Sequence, residues 1–447
     1  MKKIISLIII GLFALQASFS QGIVSNTNQS ANFLRMLARN ASTDVDAVYY
    51  NPAGLVKMQD GFYLSLHNQS LFQTQTITNN SVLLNKNEFV GDVKAPIYPS
   101  FFGVYKKGKL AVSLGFGIVG GGGSAIFENG IPSAESVVAM LPGFITAAGI
   151  PTDQYSVSIN FDAMSVYYGG QIGLSYALNK MISVSAGARY VYAKNNYTGA
   201  IKDAMVNPQH PLINPTGGMM SAETFFTMLQ NPLYAANVAD QELDAVQTGS
   251  AITPIFGINL SPVKRLNIGA RYELGTKLEL ENDTPHDVNN MFPDGVVHRN
   301  DIPALLGIGG SYYITKKLKT SVSYTTYFDK DADWEGRETL VDKNTYDVAV
   351  GLEYLLNKKL VVSGGFSSSK SGVTEAYQSD MSYALSSNTI GFGFGYKASK
   401  KLSINVGGML VIYQEGEHSP DYGIGSAVEN LEKSTSGFAI GLCYKLF

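Results

Sequence analysis

The sequence predicts an all-β fold, a 14-stranded antiparallel transmembrane β-barrel. Three observations predict it. Apolar residues recur at every second position over long segments, short and long connections alternate, and the chain begins with an apolar leader typical of export.

The leader comes first. Lys2 and Lys3 precede an apolar run at 4–15, and Ser18 and Ser20 offer a processing site before Gln21, so residues 1–20 read as a secretory signal peptide. Composition then narrows the class. Of 447 residues, 46 are glycine, 26 tyrosine and 22 phenylalanine, a profile of strands, turns and interfacial aromatic rings. A formal net charge of −3 argues against a nucleic-acid binder. The single cysteine, Cys443, permits no internal disulfide, so stability must come from burial and backbone pairing. After the leader no apolar run approaches the ~20 residues of a membrane helix, which disfavours a helical bundle and leaves a barrel untouched.

The strands follow. In 109–119, Leu110, Val112, Leu114, Phe116 and Ile118 share one parity, and Ser113, Gly115 and Gly117 the other. In 181–194, Ile182, Val184, Ala186, Tyr190 and Tyr192 oppose Ser183, Ser185, Gly187 and Arg189. The same period recurs in 265–281, 318–329, 344–356 and 401–413. Period two over such lengths makes a strand with one apolar face. The other face is small or polar, as a packed lumen requires, and the apolar faces are long enough to cross a hydrocarbon layer at a tilt.

The connections sort by length. Tight ones at 106–108, 178–180, 262–264, 315–317, 357–359 and 398–400 alternate with long ones at 78–91, 120–156, 200–249, 282–299, 330–343, 370–385 and 414–433. Antiparallel strands put successive connections at opposite ends, so one rim collects tight, mostly basic turns and the other the long loops. Tyr176, Tyr313, Tyr354 and Tyr396 sit close to tight turns, where a ring meets the membrane interface and a hydroxyl meets water. An even, closed barrel leaves no unpaired edge in lipid.

Residues 21–61 lack this period. A short helix is expected at 30–39, followed by the acidic stretch 40–46 and then Ala47-Val-Tyr-Tyr-Asn51-Pro52-Ala53-Gly54-Leu55. Such a segment fits either a periplasmic appendage or a plug in the lumen. Pro52 fixes its own φ and biases Asn51 away from helix, while the Asn51 side chain can bond nearby backbone, so the motif builds a rigid turn. The stretch 44–55, just upstream of the first strand, resembles the hatch motif of the FadL/TodX family of outer-membrane long-chain fatty acid and hydrophobic-compound transporters. The resemblance covers nearly the whole mature chain: a hatch (plug) at 21–61, then a barrel at 62–447. It implies passive uptake of fatty acids or other small hydrophobic compounds across the outer membrane of a Gram-negative cell. It also implies that Asn51, Pro52, Ala53 and Gly54 belong to a lumen hatch whose rearrangement releases ligand, sideways through a gap beside a kinked third strand.

Two long connections are too apolar for ordinary solvated loops. Phe127, Met140 and Phe144 in the first, and Phe225, Phe226 and Leu229 in the second, are the expected ligand-capture residues, since apolar area removed from water is worth about 25 cal/mol per Å². Helices are expected at 222–230 and 235–245. Arg189 and Arg271 face the expected lumen, where they either attract a carboxylate head group or pair with acids such as Glu273 and Glu353. Gly115, Gly117 and Gly120, with the run through Gly123, are the candidates for the strand kink; alternatively the run only opens the following loop.

Five histidines are scattered without metal-ligand spacing, and neither a Gly-x-Ser-x-Gly elbow nor a phosphate loop occurs, so no enzyme activity, metal or cofactor is expected. The expected partners are the hydrophobic ligand, outer-membrane lipid and, from the terminal Phe447, the barrel assembly machinery. A monomer is expected, with no nucleic acid. The rival readings are a nonspecific porin for small polar solutes, which needs an open lumen, and a surface adhesin or structural barrel, which binds through its loops without uptake.

Overall fold

The computed structural model describes residues 26–287, 291–421 and 427–447; the expected signal peptide at 1–20 lies outside the described residues. Fourteen strands form the wall. They are β1 (Gly61–Asn79), β2 (Glu88–Lys107), β3 (Leu110–Phe127), β4 (Tyr155–Ala177), β5 (Ile182–Val206), β6 (Gln241–Val263) and β7 (Leu266–Glu273). Then come β8 (Leu305–Tyr313), β9 (Leu318–Tyr327), β10 (Tyr346–Leu355), β11 (Leu360–Lys370), β12 (Ser387–Lys397), β13 (Leu402–Tyr413) and β14 (Glu429–Lys445). Shorter segments such as Glu279–Asp287 and Val297–Arg299 extend the sheet on the long-loop side. Every pairing is antiparallel, and the two ends of the chain close the ring, with Tyr63 to Asn79 running opposite Lys445 to Glu429 in unbroken register.

The wall is inverted relative to a sheet made for water. Leu114, Ile172, Val322, Leu352, Phe392 and Phe438 point outward and are exposed, while Ser113, Gln171, Arg189, Ser321, Glu353 and Asn405 point inward and are buried. Apolar surface left outside at this density is costly in water and costs nothing in hydrocarbon. The inward face is small because residues 26–58 fill the space it surrounds. A Cβ on Gly309 would lie 2.8 Å from the Asn40 Cβ, and one on Gly407 2.7 Å from the Arg35 backbone nitrogen. Such approaches admit only glycine.

Several expected boundaries need correction. Strand β3 runs to Phe127 instead of ending at 119, and β6 begins at Gln241 instead of 250, so parts of two expected loops are wall. The reason is physical. Above the lipid both faces of a strand meet polar surroundings, and the apolar alternation that marks a strand disappears. The expected helix at 30–39 is confined to α1 (Ala31–Arg35). Of the two helices expected in the loop, 222–230 appears as α5 (Ala222–Met228), whereas 235–245 is shifted to α6 (Pro232–Val238) because the wall begins at Gln241; α2 (Ala47–Tyr50), α3 (Pro132–Ala139) and α4 (Leu141–Ala147) precede them.

Candidate functional site

The N-terminal segment folds around one ion cluster. Ser30 caps α1, its Oγ accepting from the Phe33 N–H at 3.1 Å. Arg39 donates from Nε to Asp46 at 3.0 Å, and from Nη2 to Asp46 at 2.6 Å, to Asp44 at 2.9 Å and to the Ser42 hydroxyl at 2.8 Å. Asp46 also accepts from the Ser30 and Ser42 hydroxyls, at 3.0 and 2.8 Å. Charges this deeply buried persist only when every one is paired and bonded.

The Asn-Pro-Ala-Gly turn then ties the segment to the wall. Asn51 Nδ2 donates to the Ser42 carbonyl at 2.9 Å and to Asn259 Oδ1 of β6 at 2.8 Å. The hydroxyls of Ser175 on β4 and Ser183 on β5 donate to the carbonyls of Pro52 and Ala53, both at 2.7 Å. A side chain on Gly54 would meet the Ser42 carbonyl at 2.6 Å. Elsewhere Asn40 bonds Ser323 and Thr325 on β9, and Arg35 pairs with Glu353 of β10 at 2.7 Å.

Arg189 and Arg271 lie at most 4% exposed. Their guanidinium carbons sit 4.9 and 4.4 Å from the centre of the Tyr49 ring, and Arg271 also donates to the Tyr49 carbonyl. Glu273 accepts from Arg189 at 2.6 Å and lies 3.3 Å from Arg271. Of the two alternatives for these arginines, pairing with an acid is the one present in this conformation.

The wall is interrupted between β2 and β3. Pro96 and Pro99 have no N–H to offer a neighbouring strand. Pairing runs from Asp92 opposite Ile126 to Lys94 opposite Ser124, lapses over 95–100 and 117–123, and resumes with Phe101 opposite Phe116. On its other side β3 stays paired with β4 but bulges between Ile118 and Gly120 and again between Gly121 and Gly123. Gly121 and Gly122 take φ values of +61° and +123° there, which side chains rarely tolerate.

Other donors satisfy the carbonyls that β2 leaves unmet. The Tyr98 hydroxyl donates to the Ile118 carbonyl at 2.9 Å, and Gln29 Nε2 donates to the same oxygen at 2.5 Å. The Asn26 backbone N–H reaches the Val119 carbonyl at 2.9 Å. Ser100 Oγ donates to the Gln29 carbonyl at 2.6 Å, which anchors the inserted peptide to β2. Residues 26–29 therefore occupy the place of missing ladder rungs. Gly115 and Gly117 face the same segment, next to Val48 and Gln29, and Gly120 lies at the first bulge.

At the long-loop end the apolar residues pack on one another. Phe127, Ile131, Val138, Ile145, Phe225 and Phe226 form one buried cluster, with Phe144 and Leu229 packed against it and Met140 half-buried where α3 meets α4. The Phe226 and Tyr234 ring centres are 5.4 Å apart. An open apolar patch was the expectation. Phe127, Phe225 and Phe226 are instead at most 4% exposed, because α3, α4 and α5 cover one another, while Ile126, Leu212, Met219, Met228 and Leu233 of the same connections stay exposed. Asp380 joins this cap by accepting from the Ser133 N–H at 2.8 Å. Burial pushes its carboxyl above the usual range, and the bond from Ser133 partly offsets that. At the other rim, Lys106 holds the Asp60 carboxyl below its usual range.

Asn26, Gln29 and Tyr98 were not anticipated from sequence. The signal that would have found them is the pair of prolines three residues apart inside an otherwise continuous strand. Among the described residues, no group of His, Cys, Asp and Glu is arranged to hold a metal ion.

No protein-family model matches the sequence, and no curated protein matches it either. The fold does have counterparts. A FadL homologue from Pseudomonas aeruginosa superposes with a TM-score of 0.67 at 13% identity, over 95% of this chain and 100% of the other. The Pseudomonas putida toluene transporter TodX gives 0.59 at 13%, over 91% and 95%. The Ralstonia pickettii toluene transporter TbuX gives 0.56 at 14%, over 90% and 94%. At these identities the likeness establishes the fold.

Proposed function

We propose, from the premise that this chain has the FadL/TodX-type barrel fold, that it is an outer-membrane channel through which small hydrophobic compounds diffuse passively. Among the described residues, 26–60 are its hatch. The observation that carries this reading is the lapsed β2–β3 ladder, whose free carbonyls are held by residues 26–29 of that segment.

A hydrophobic solute gains nothing from a wet tube, but each Å² of its apolar surface taken from water is worth about 25 cal/mol. The loop cluster of Phe127, Phe144, Phe225, Phe226 and Leu229, with Met140 at its edge, supplies the first such environment when it parts around a ligand. Withdrawal of residues 26–29 then frees the Val119 carbonyl, leaves the Ile118 carbonyl to Tyr98 alone, and opens a side window between β2 and β3. A solute leaving there meets hydrocarbon without crossing the polar mouth of the barrel. Gly117 and Gly120 bring no side chain of β3 into that window, and Gly115 lies just below it in the paired ladder. Fatty acids and aromatic hydrocarbons both fit the class, and Arg189 and Arg271 meet a carboxylate only after Tyr49 leaves them. A porin needs a steady aqueous path, which the packed segment at 26–58 opposes.

The test joins the latch to the wall. Cysteines at Gln29 and Gly117, in a Cys443→Ser background, are bridged by a short thiol-specific linker in proteoliposomes. Uptake of labelled oleate and labelled toluene is then measured. Bridging should stop uptake of the transported compound and cleavage of the linker should restore it; uptake that ignores the bridge refutes the hatch and window together.

A further inference from the structure

Each of the six tight turns ends the wall with an exposed cation: Lys109, Lys180, Lys264, Lys317, Lys359 and Lys400. Five of these turns carry a second lysine or arginine beside it. None contains a carboxylate, and Asp60, at the same rim, is held by Lys106 at 2.7 Å. The opposite rim has the reverse sign. Its stretch 329–342 carries Asp329, Asp331, Asp333, Glu335, Glu338 and Asp342 against Lys330 and Arg337. A chain with a formal net charge of only −3 is therefore strongly polarised along the barrel axis.

The height of the cations is marked by their neighbours. Tyr105, Tyr176, Tyr312, Tyr354, Tyr396 and Tyr444 are exposed on the outer face within a few residues of the same rim. Outward tyrosines of this kind sit at the headgroup level of a bilayer. Lysine stems starting there reach along the interface and deliver their ammonium groups to the phosphates. We propose that this ring binds the anionic headgroups of phospholipids in the leaflet beside the turns, and so fixes the depth and direction of the barrel in the membrane. The cations encircle the rim at every turn, whereas a docked acidic protein would need them gathered on one sector. The inference rests on the membrane reading given above.

The test uses the full barrel purified in detergent and offered dioleoyl phosphatidylglycerol or dioleoyl phosphatidylcholine, with native mass spectrometry counting retained lipid. Several-fold more phosphatidylglycerol should be retained at low salt. Replacing Lys316, Lys317, Lys358 and Lys359 together by glutamine strips two of the six turns and should lower the number of retained anionic lipids by about a third, while Lys277→Gln with Lys343→Gln at the other rim leaves it unchanged. Equal retention of the two lipids, or a turn variant that behaves as wild type, overturns the proposal. Displacement of the lipid by millimolar inorganic phosphate also overturns it, because the ring is then a site for free anions. Heat-modifiable migration on a gel separates the two levels of failure. A barrel that forms but keeps no anionic lipid refutes the ring alone, and a chain that stays soluble without detergent refutes the membrane reading with it.

Discussion

Replacing Arg39 with leucine should loosen the N-terminal segment without opening the barrel. Asp46 is 1% exposed, and without Arg39 its charge keeps only the Ser30 and Ser42 hydroxyls, at 3.0 and 2.8 Å. Stranding one member of a buried ion pair costs about 3–5 kcal/mol, so the population with the segment displaced should rise by a factor on the order of 10²–10⁴. Asp44 adds little to this figure, because its side chain is 52% exposed and water takes over from the lost partner. The wall does not share the loss, since its strands are held by their own ladder. Hydrogen exchange of the amides at 47–51, whose bonds lie within the segment, is the direct readout, with heat-modifiable migration as the check on the barrel. The double variant Arg39→Leu, Asp46→Leu removes both charges and should regain most of the protection. If the single variant exchanges like wild type, or the double variant is no better protected than the single, the ion cluster does not hold the segment in place.

Two further outcomes follow from the same contacts. Tyr98→Phe removes the 2.9 Å bond to the Ile118 carbonyl but leaves that of Gln29, which should weaken closure of the gap by roughly 0.5–1.5 kcal/mol and speed both exchange at 117–123 and solute uptake. Unchanged exchange there would mean that Gln29 alone suffices. Asp380 gives a pH dependence. Its folded pKa lies above the ordinary 3.8 because burial penalises the charge, with Ser133 and His418 pulling the other way. A raised folded pKa stabilises the loop cap fully below the unfolded value, and that contribution is lost as pH rises through the folded value. Asp380→Asn, which keeps an acceptor for Ser133 and cannot ionise, should therefore slow exchange at 131–140 at neutral pH and flatten its pH profile. A variant profile that still slopes like wild type would assign the effect elsewhere.

The parts of the fold legible in sequence were those in contact with lipid. Leu110 to Ile118 alternate with small residues because hydrocarbon covers one face and the packed segment the other. The tight turns were legible for the same reason, since strands must end where lipid ends. At 241–249 the wall continues through Gln241, Glu242 and Asp244, where no face contrasts with its opposite, and the strand could not be read. The Asn51 to Gly54 turn stood out because proline and glycine constrain backbone locally. Its partners Ser175, Ser183 and Asn259 did not, because pairing across the lumen joins residues more than 100 positions apart. The glycine run at 120–123 was visible, but kink and loop opening both stayed open while β3 was expected to end at 119. The prolines of β2 decide the matter, as they forbid the rungs that would otherwise hide the run.

The inserted peptide also constrains how the molecule is made. Residues 26–58 touch the inner faces of strands from both halves of the chain, and the β1–β14 seam joins its two ends. An insert already in position when the last strand meets the first would act as a mandrel around which the sheet is wrapped, because the same side chains bind it to early and late strands alike. Removing it should thus slow closure of the cylinder as well as unblock it, and newly made chains lacking these residues should linger as open, protease-sensitive sheets.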